Sequence, residues 1–237
     1  MLVRRKPLLF LGCFLLAINL TFLCACAKPE EEIAKEAPTT SEEIKPPAEL
    51  PPVDESVKLP EPKNTEIQDS VKRLYKDSVI VDATHFIVGD FNGDTYQDIA
   101  IVVKPTPGKL QDINSEVANW ILEDPRKIPL PDPTKAVQPP PPKPEPVEVN
   151  SSDVLIAILH GYGQQGWRSA EAIQTYLLKN AVGNNMKTQI GKEFLTEAKA
   201  IKNLPYLRGD IIRQTLDGKQ GFLYYTGAKY VWHQLGT

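Results

Sequence analysis

The chain has 237 residues, with 27 basic and 30 acidic side chains and a formal net charge of −3. A mildly acidic chain lacks the basic face that nucleic acid demands, so no nucleic-acid partner is expected. Three histidines lie far apart, at positions 85, 160 and 233, and three cysteines lie within the first 26 residues, so no Cys/His metal spacing is present.

Residues 1–25 have the layout of an export signal. Arg4, Arg5 and Lys6 precede an almost wholly apolar run from Pro7 to Leu23, and small residues follow. The segment closes with Leu23-Cys24-Ala25-Cys26, which resembles the lipobox of bacterial lipoproteins. The resemblance implies cleavage before Cys26, diacylglycerol on its sulfur, palmitate among the acyl chains, and a membrane held through the lipid anchor. With Ala27 rather than Asp next to the acylated residue, it further implies the outer membrane, with the protein facing the periplasm. Cleavage would leave 24 basic against 30 acidic residues and no free thiol, which excludes thiol catalysis and disulfides in the mature chain.

Residues 26–62 read as a lipid-anchored, disordered tether. Eight prolines stand among glutamates and lysines and no aromatic is present, so this stretch cannot bury enough apolar surface to offset its ordering entropy.

Residues 63–237 are expected to form one α+β domain, with a small mixed or mainly antiparallel sheet and flanking helices. A helix over 66–76, capped by Thr65, would present Ile67, Val71, Leu74 and Tyr75 on one face. A β-branched run over 78–88 and an apolar run over 99–104 predict two strands joined by an acidic loop. Helical spacing predicts a short amphipathic helix over 112–122, with Ile113, Val117, Trp120 and Ile121 inward. Ten prolines between 125 and 146 predict a surface loop over 125–148. Asp153 to His160 is a continuous apolar run, expected as a strand buried on both faces. Ser169 is expected to cap a helix over 170–179, and a weaker helix is expected over 190–203. Three strands close the chain, over 210–216, 221–225 and 229–234, with turns at Asp217-Gly218 and Thr226-Gly227. Their aromatic side chains are read as cross-strand packing partners.

The acidic loop carries the one constellation with plausible site chemistry. Asp90, Asn92, Asp94 and Asp98 place side-chain oxygens at loop positions 1, 3, 5 and 9, and the Tyr96 carbonyl offers another. Such a set suits calcium, a hard cation that takes several oxygens from a flexible loop. Position 12 is Ile101, not the bidentate Glu of an EF-hand. The run from Val88 to Ile101 instead resembles the FG-GAP or VCBS repeat, which implies a calcium loop at a strand tip. Thr95 stands where that family places Gly, a position of positive φ at which a β-branched residue is strained. No internal repeat of blade length accompanies the motif, so the family's propeller is not implied.

A second candidate is His160-Gly161-Tyr162-Gly163, which follows the buried apolar run. It resembles the His-Gly oxyanion segment of α/β-hydrolases, but Ser169, the only serine after it, lacks a nucleophile elbow. Arg208-Gly209-Asp210 leads directly into an expected strand and reads as structural. The expectation is an envelope lipoprotein with a non-enzymatic binding or structural module, a calcium-stabilised loop and an envelope protein as its partner. The alternative is a periplasmic hydrolase using the His160–Gly163 segment.

Overall fold

The computed structural model describes residues 59–129, 145–199, 201 and 203–236. The signal, the lipobox with Cys26 and nearly all of the expected tether lie outside the described residues, as does most of the second proline tract. Among the described residues no helix is long and apolar enough to cross a membrane.

The fold is α+β and is built on two mainly antiparallel sheets. Helix α1 (Asn64–Tyr75) begins two residues before the expected start. The backbone N–H of Lys63, not a Thr65 cap, closes its first turn by donating to Glu66 Oε2 at 3.2 Å. Its apolar face is as expected: Ile67, Val71, Leu74 and Tyr75 are buried. Strands β1 (Val79–Gly89) and β2 (Asp98–Pro105) form an antiparallel hairpin with the acidic loop at its tip. The register of β1 shifts between Val81 and Phe86, so Asp82 to His85 bulge out of the ladder.

Two expected helices are replaced by turns that lead into short strands. The stretch over 112–122 holds only the end of a single helical turn, α2 (Leu110–Ile113), and then reaches β3 (Ile121–Glu123). Ile113 and Trp120 are buried as expected, but Val117 is 90% exposed and Ile121 44% exposed. The stretch over 170–179 instead turns at Ser169, whose Oγ accepts the Glu171 N–H at 3.2 Å, and then runs as β5 (Thr175–Leu178). All four residues of β5 are buried, between β4 (Leu155–Leu159) and β3. Burial on two sides overrides the helical spacing of that stretch.

The first sheet has the order β1-β2-β4-β5-β3, with β3 and β5 the only parallel pair among the described residues. Every residue of β4 is buried, as the apolar run predicts. Ile99, Ile101 and Val103 of β2, with Leu155, Ala157 and Leu159 of β4, face α1, Trp120 and Trp167. Ala100, Ile156 and Ile158 face the other way, onto the second sheet. That sheet is a meander of β6 (Asn184–Gln189), β7 (Ile211–Leu216), β8 (Lys219–Tyr225) and β9 (Tyr230–Gln234). Its inner face brings Ile212, Leu223, Tyr225 and Tyr230 to the shared core. Its outer face packs Phe222, Tyr224 and Val231 against Phe194 and Ala198. Phe194 belongs to α3 (Gly191–Glu197), which is shorter than the expected 190–203.

The last three strands fall where the sequence places them. Asp217 (φ 50°) and Gly218 (φ 76°) form a two-residue turn of the primed kind that suits a hairpin. The aromatic pairing is partly as expected: Tyr225 faces Tyr230, while Phe222 faces His233 and Tyr224 faces Val231. Layer by layer the fold is α1, first sheet, second sheet, α3.

Candidate functional site

The acidic loop is built around Asp98, the first residue of β2. Its side chain is fully buried. Oδ2 accepts the N–H groups of Phe91 (2.8 Å) and Asn92 (3.2 Å), and Oδ1 accepts that of Gly161 (2.6 Å). Above it, Asp90 Oδ1 accepts the amides of Gly93 (2.8 Å) and Asp94 (3.0 Å), and Oδ2 that of Thr95 (2.9 Å). Asn92 Oδ1 accepts the Asp94 amide at 3.0 Å and its Nδ2 donates to Asp94 Oδ2 at 2.7 Å. Asp94 Oδ1 accepts the Tyr96 amide at 2.9 Å. Short polar side chains thus hold the loop by bonding backbone two to seven residues away.

The structure therefore gathers Asp90, Asn92, Asp94 and Asp98 on one loop, each turned onto a backbone amide. The Tyr96 ring leans on Tyr162, with centroids 6.0 Å apart. Thr95 adopts φ 75°, the left-handed conformation its position was expected to require. Burial pushes the Asp90 carboxyl up, opposed by the amides of Thr95 and Gly93, and the Asp94 charge raises it further. Burial raises Asp98 well above the usual range, and the charges of Asp94 and Asp90 add to it against the Gly161 and Phe91 amides. Among the described residues no group of three or more His, Cys, Asp or Glu side chains converges as a metal site.

A second loop locks onto this one. The Asp210 N–H donates to the Asp90 carbonyl at 2.7 Å, and the Asp90 N–H donates to Asp210 Oδ2 at 3.0 Å. Gly209 lies against the Asp90 carbonyl and Gly93 against that of Arg208, so neither position has space for a Cβ. Sequence reasoning placed Gly209 and Asp210 at the start of a strand without seeing this role. A Gly-Asp pair before an apolar run was the available signal, and nothing in it names a partner 120 residues away.

Between the loops lies a cavity of about 890 Å³. Tyr96, Ile190, Leu195 and Tyr206 supply apolar lining, and the charged lining is mixed, Lys192 and Arg208 with Asp90 and Asp210. Ile190 and Leu195 are exposed, and Tyr206 is 81% exposed. The floor is rigid. Gln97, between the acidic loop and β2, accepts the Trp167 N–H at its carbonyl (2.8 Å), and its Oε1 accepts Trp167 Nε1 (3.2 Å) and Arg168 Nη1 (3.1 Å). Arg168 also bonds Glu66 Oε2 (3.0 Å) and the Pro60 carbonyl (2.8 Å).

The His160–Gly163 segment is arranged differently from an oxyanion site. The Gly161 N–H is engaged by Asp98. The His160 ring is buried among Tyr176, Tyr225 and Tyr230, with centroids 5.0–5.8 Å away. Its Nε2 lies 2.6 Å from the Tyr230 hydroxyl, and its Nδ1 has no hydrogen-bond partner among the described residues. Burial holds this imidazole down to about 4, against the favourable pull of Gln174 and the Asp94 charge. Nearby, Glu123 of β3 accepts the Tyr230 N–H at Oε2 (3.0 Å) while its Oε1 has no partner among the described residues. Burial pushes the Glu123 carboxyl up to about 7, opposed by that amide and by Lys229. The structure does not bring the histidines together: His85 pairs with Asp82 at 2.9 Å on the exposed bulge, and His233 packs on Phe222.

Comparison of the chain with protein-family models, with curated proteins and with solved structures finds no match.

Proposed function

We propose that the chain is a lipoprotein of the bacterial envelope, acylated at Cys26 and facing the periplasm from the outer membrane. Its folded part is a non-enzymatic binding module whose binding face is the cavity beside the acidic loop. The observation that carries this reading is the lining of that cavity. Tyr206 stands 81% exposed beside exposed Ile190 and Leu195, an arrangement that costs solvation unless a partner covers it. The charged lining is mixed, Lys192 and Arg208 with Asp90 and Asp210, so the apolar contacts carry the binding. The binding reading is preferred to a hydrolase because the Gly161 amide already bonds Asp98.

The test uses the whole mature chain and a displayed library of random peptides. Peptides carrying apolar residues should be enriched, and the enrichment should vanish with Tyr206→Ser and Leu195→Ser. No enrichment over background, or enrichment that both substitutions leave intact, overturns the reading.

Calcium at the acidic loop is part of the proposal, and rests on the FG-GAP-like spacing of Asp90, Asn92, Asp94, Asp98 and the Tyr96 carbonyl. Like charges crowd this loop, and a cation would relieve them. To bind one, the side chains would have to share or release amides that they now hold. An ion that binds only the native state raises its melting temperature. Identical melts in calcium and in chelator would sink this part.

A further inference from the structure

The wall of the cavity includes the start of the described chain. Leu59, the first described residue, lines it, and the next residue, Pro60, is held by its carbonyl on Arg168 Nη2 at 2.8 Å. Residues 59–63 carry no helix or strand, so this is a Leu-Pro-Glu-Pro segment seated at the rim.

The residues that precede it are Leu50-Pro51-Pro52-Val53-Asp54-Glu55-Ser56-Val57-Lys58. We propose that this segment binds in the cavity in cis, continuing the seat of Leu59 and Pro60. The proposal rests on the cavity being a binding face, as argued above, and names its occupant.

Three features support it. The chain must leave the fold at the cavity, because Leu59 is already there, so the local concentration of the segment is high and the loop to be closed is short. Nine extended residues reach about 30 Å, enough to cross a cavity of this volume. The chemistry is complementary. Leu50, Val53 and Val57 offer apolar side chains to Tyr206, Leu195 and Ile190, while Asp54, Glu55 and Lys58 together match a lining of mixed charge, Lys192 and Arg208 with Asp90 and Asp210. Proline restricts the backbone before binding, which lowers the ordering cost of an extended ligand against exposed aromatic rings.

The occupant would act as a built-in competitor for the cavity. A partner would have to displace it, so the affinity for partners would be set by the strength of the internal contact.

Hydrogen exchange on the whole mature chain tests this. The comparison is with a variant carrying Pro51→Ser, Pro52→Ser, Val53→Asp and Val57→Asp. Amides of 190–195 and 204–210 should exchange about tenfold faster in the variant, and added synthetic peptide 50–60 should slow them again. Unchanged exchange in β4 confirms that the core is intact. A complementary readout is cleavage after Asp54 and Glu55 by an acid-specific protease, which Tyr206→Ser should accelerate about tenfold. Equal exchange in the two chains, or cleavage that Tyr206→Ser does not change, overturns the proposal. Protection that grows with protein concentration also overturns it, because the segment then comes from a second copy. The displayed-peptide experiment separates the two claims. If the variant captures apolar peptides better than the natural chain does, the cis occupant is supported. Equal capture leaves the cavity a binding face and removes only the internal occupant.

Discussion

Two buried polar centres sit beside one another and solve burial in opposite ways. Asp98 is enclosed under the acidic loop with three backbone amides on its two oxygens. His160 and Glu123 are enclosed between the sheets, and each keeps one atom, Nδ1 and Oε1, without a partner. Asp98 is a structural pin, since an unpaired buried group costs about as much as the hydrogen bonds it fails to make. All three residues are held away from their ordinary titration ranges by burial, Asp98 and Glu123 upward and His160 downward, so hydrogen-bond satisfaction separates the centres in structure and not in pH response.

The strongest way to break this comparison is Asp98→Ala. It strands the amides of Phe91, Asn92 and Gly161, and urea unfolding should show a loss of about 4 kcal/mol. A loss below about 1 kcal/mol would mean that the three bonds do not carry the loop.

The next test is Glu123→Gln. The folded-state value of Glu123 is raised from 4.5 to about 7. Its stabilisation is therefore present below pH 4.5 and is lost as pH rises through 7, by about 3 kcal/mol in all. The variant should lack this slope and be more stable than the natural chain at pH 8.

His160→Phe sharpens the comparison from the acid side. The folded-state value of His160 is lowered from 6.5 to about 4, so its contribution is present above pH 6.5 and is lost as pH falls through 4. The variant should match the natural chain within about 1 kcal/mol at pH 7 and exceed it by about 2 kcal/mol near pH 4.5. A parallel loss at both pH values would show that the Tyr230 hydroxyl bond outweighs the orphaned nitrogen.

The smallest expected effect is Thr95→Gly. It removes a β-branched residue from φ 75°, and about 0.5 kcal/mol of stabilisation should remain after the extra entropy of glycine in the unfolded chain. Thermal melting resolves a change of that size.

Much of the fold was legible where one signal dominated. The acidic loop between β1 and β2, the apolar run of β4 and the Asp217-Gly218 hairpin each carry chemistry that admits few alternatives. What failed was of another kind. β3 is three residues long and β5 four, and both are strands because they pair with each other and with β4, which no local spacing encodes. β6, with the sequence Asn-Asn-Met-Lys-Thr-Gln, is an edge strand almost without apolar residues, and no expectation was placed on it. The four side-chain members of the candidate site were legible because Asp and Asn recur at fixed spacing. The opposing loop, with Gly209 and Asp210, was not, because its role exists only once the two sheets meet.

Arg168 reaches three parts of the molecule at once, Glu66 on α1, Gln97 beside β2 and the carbonyl of Pro60. The last of these ties the backbone just ahead of α1 to the same side chain that joins the helix to the hairpin, so Arg168→Ala would release three distant contacts at once.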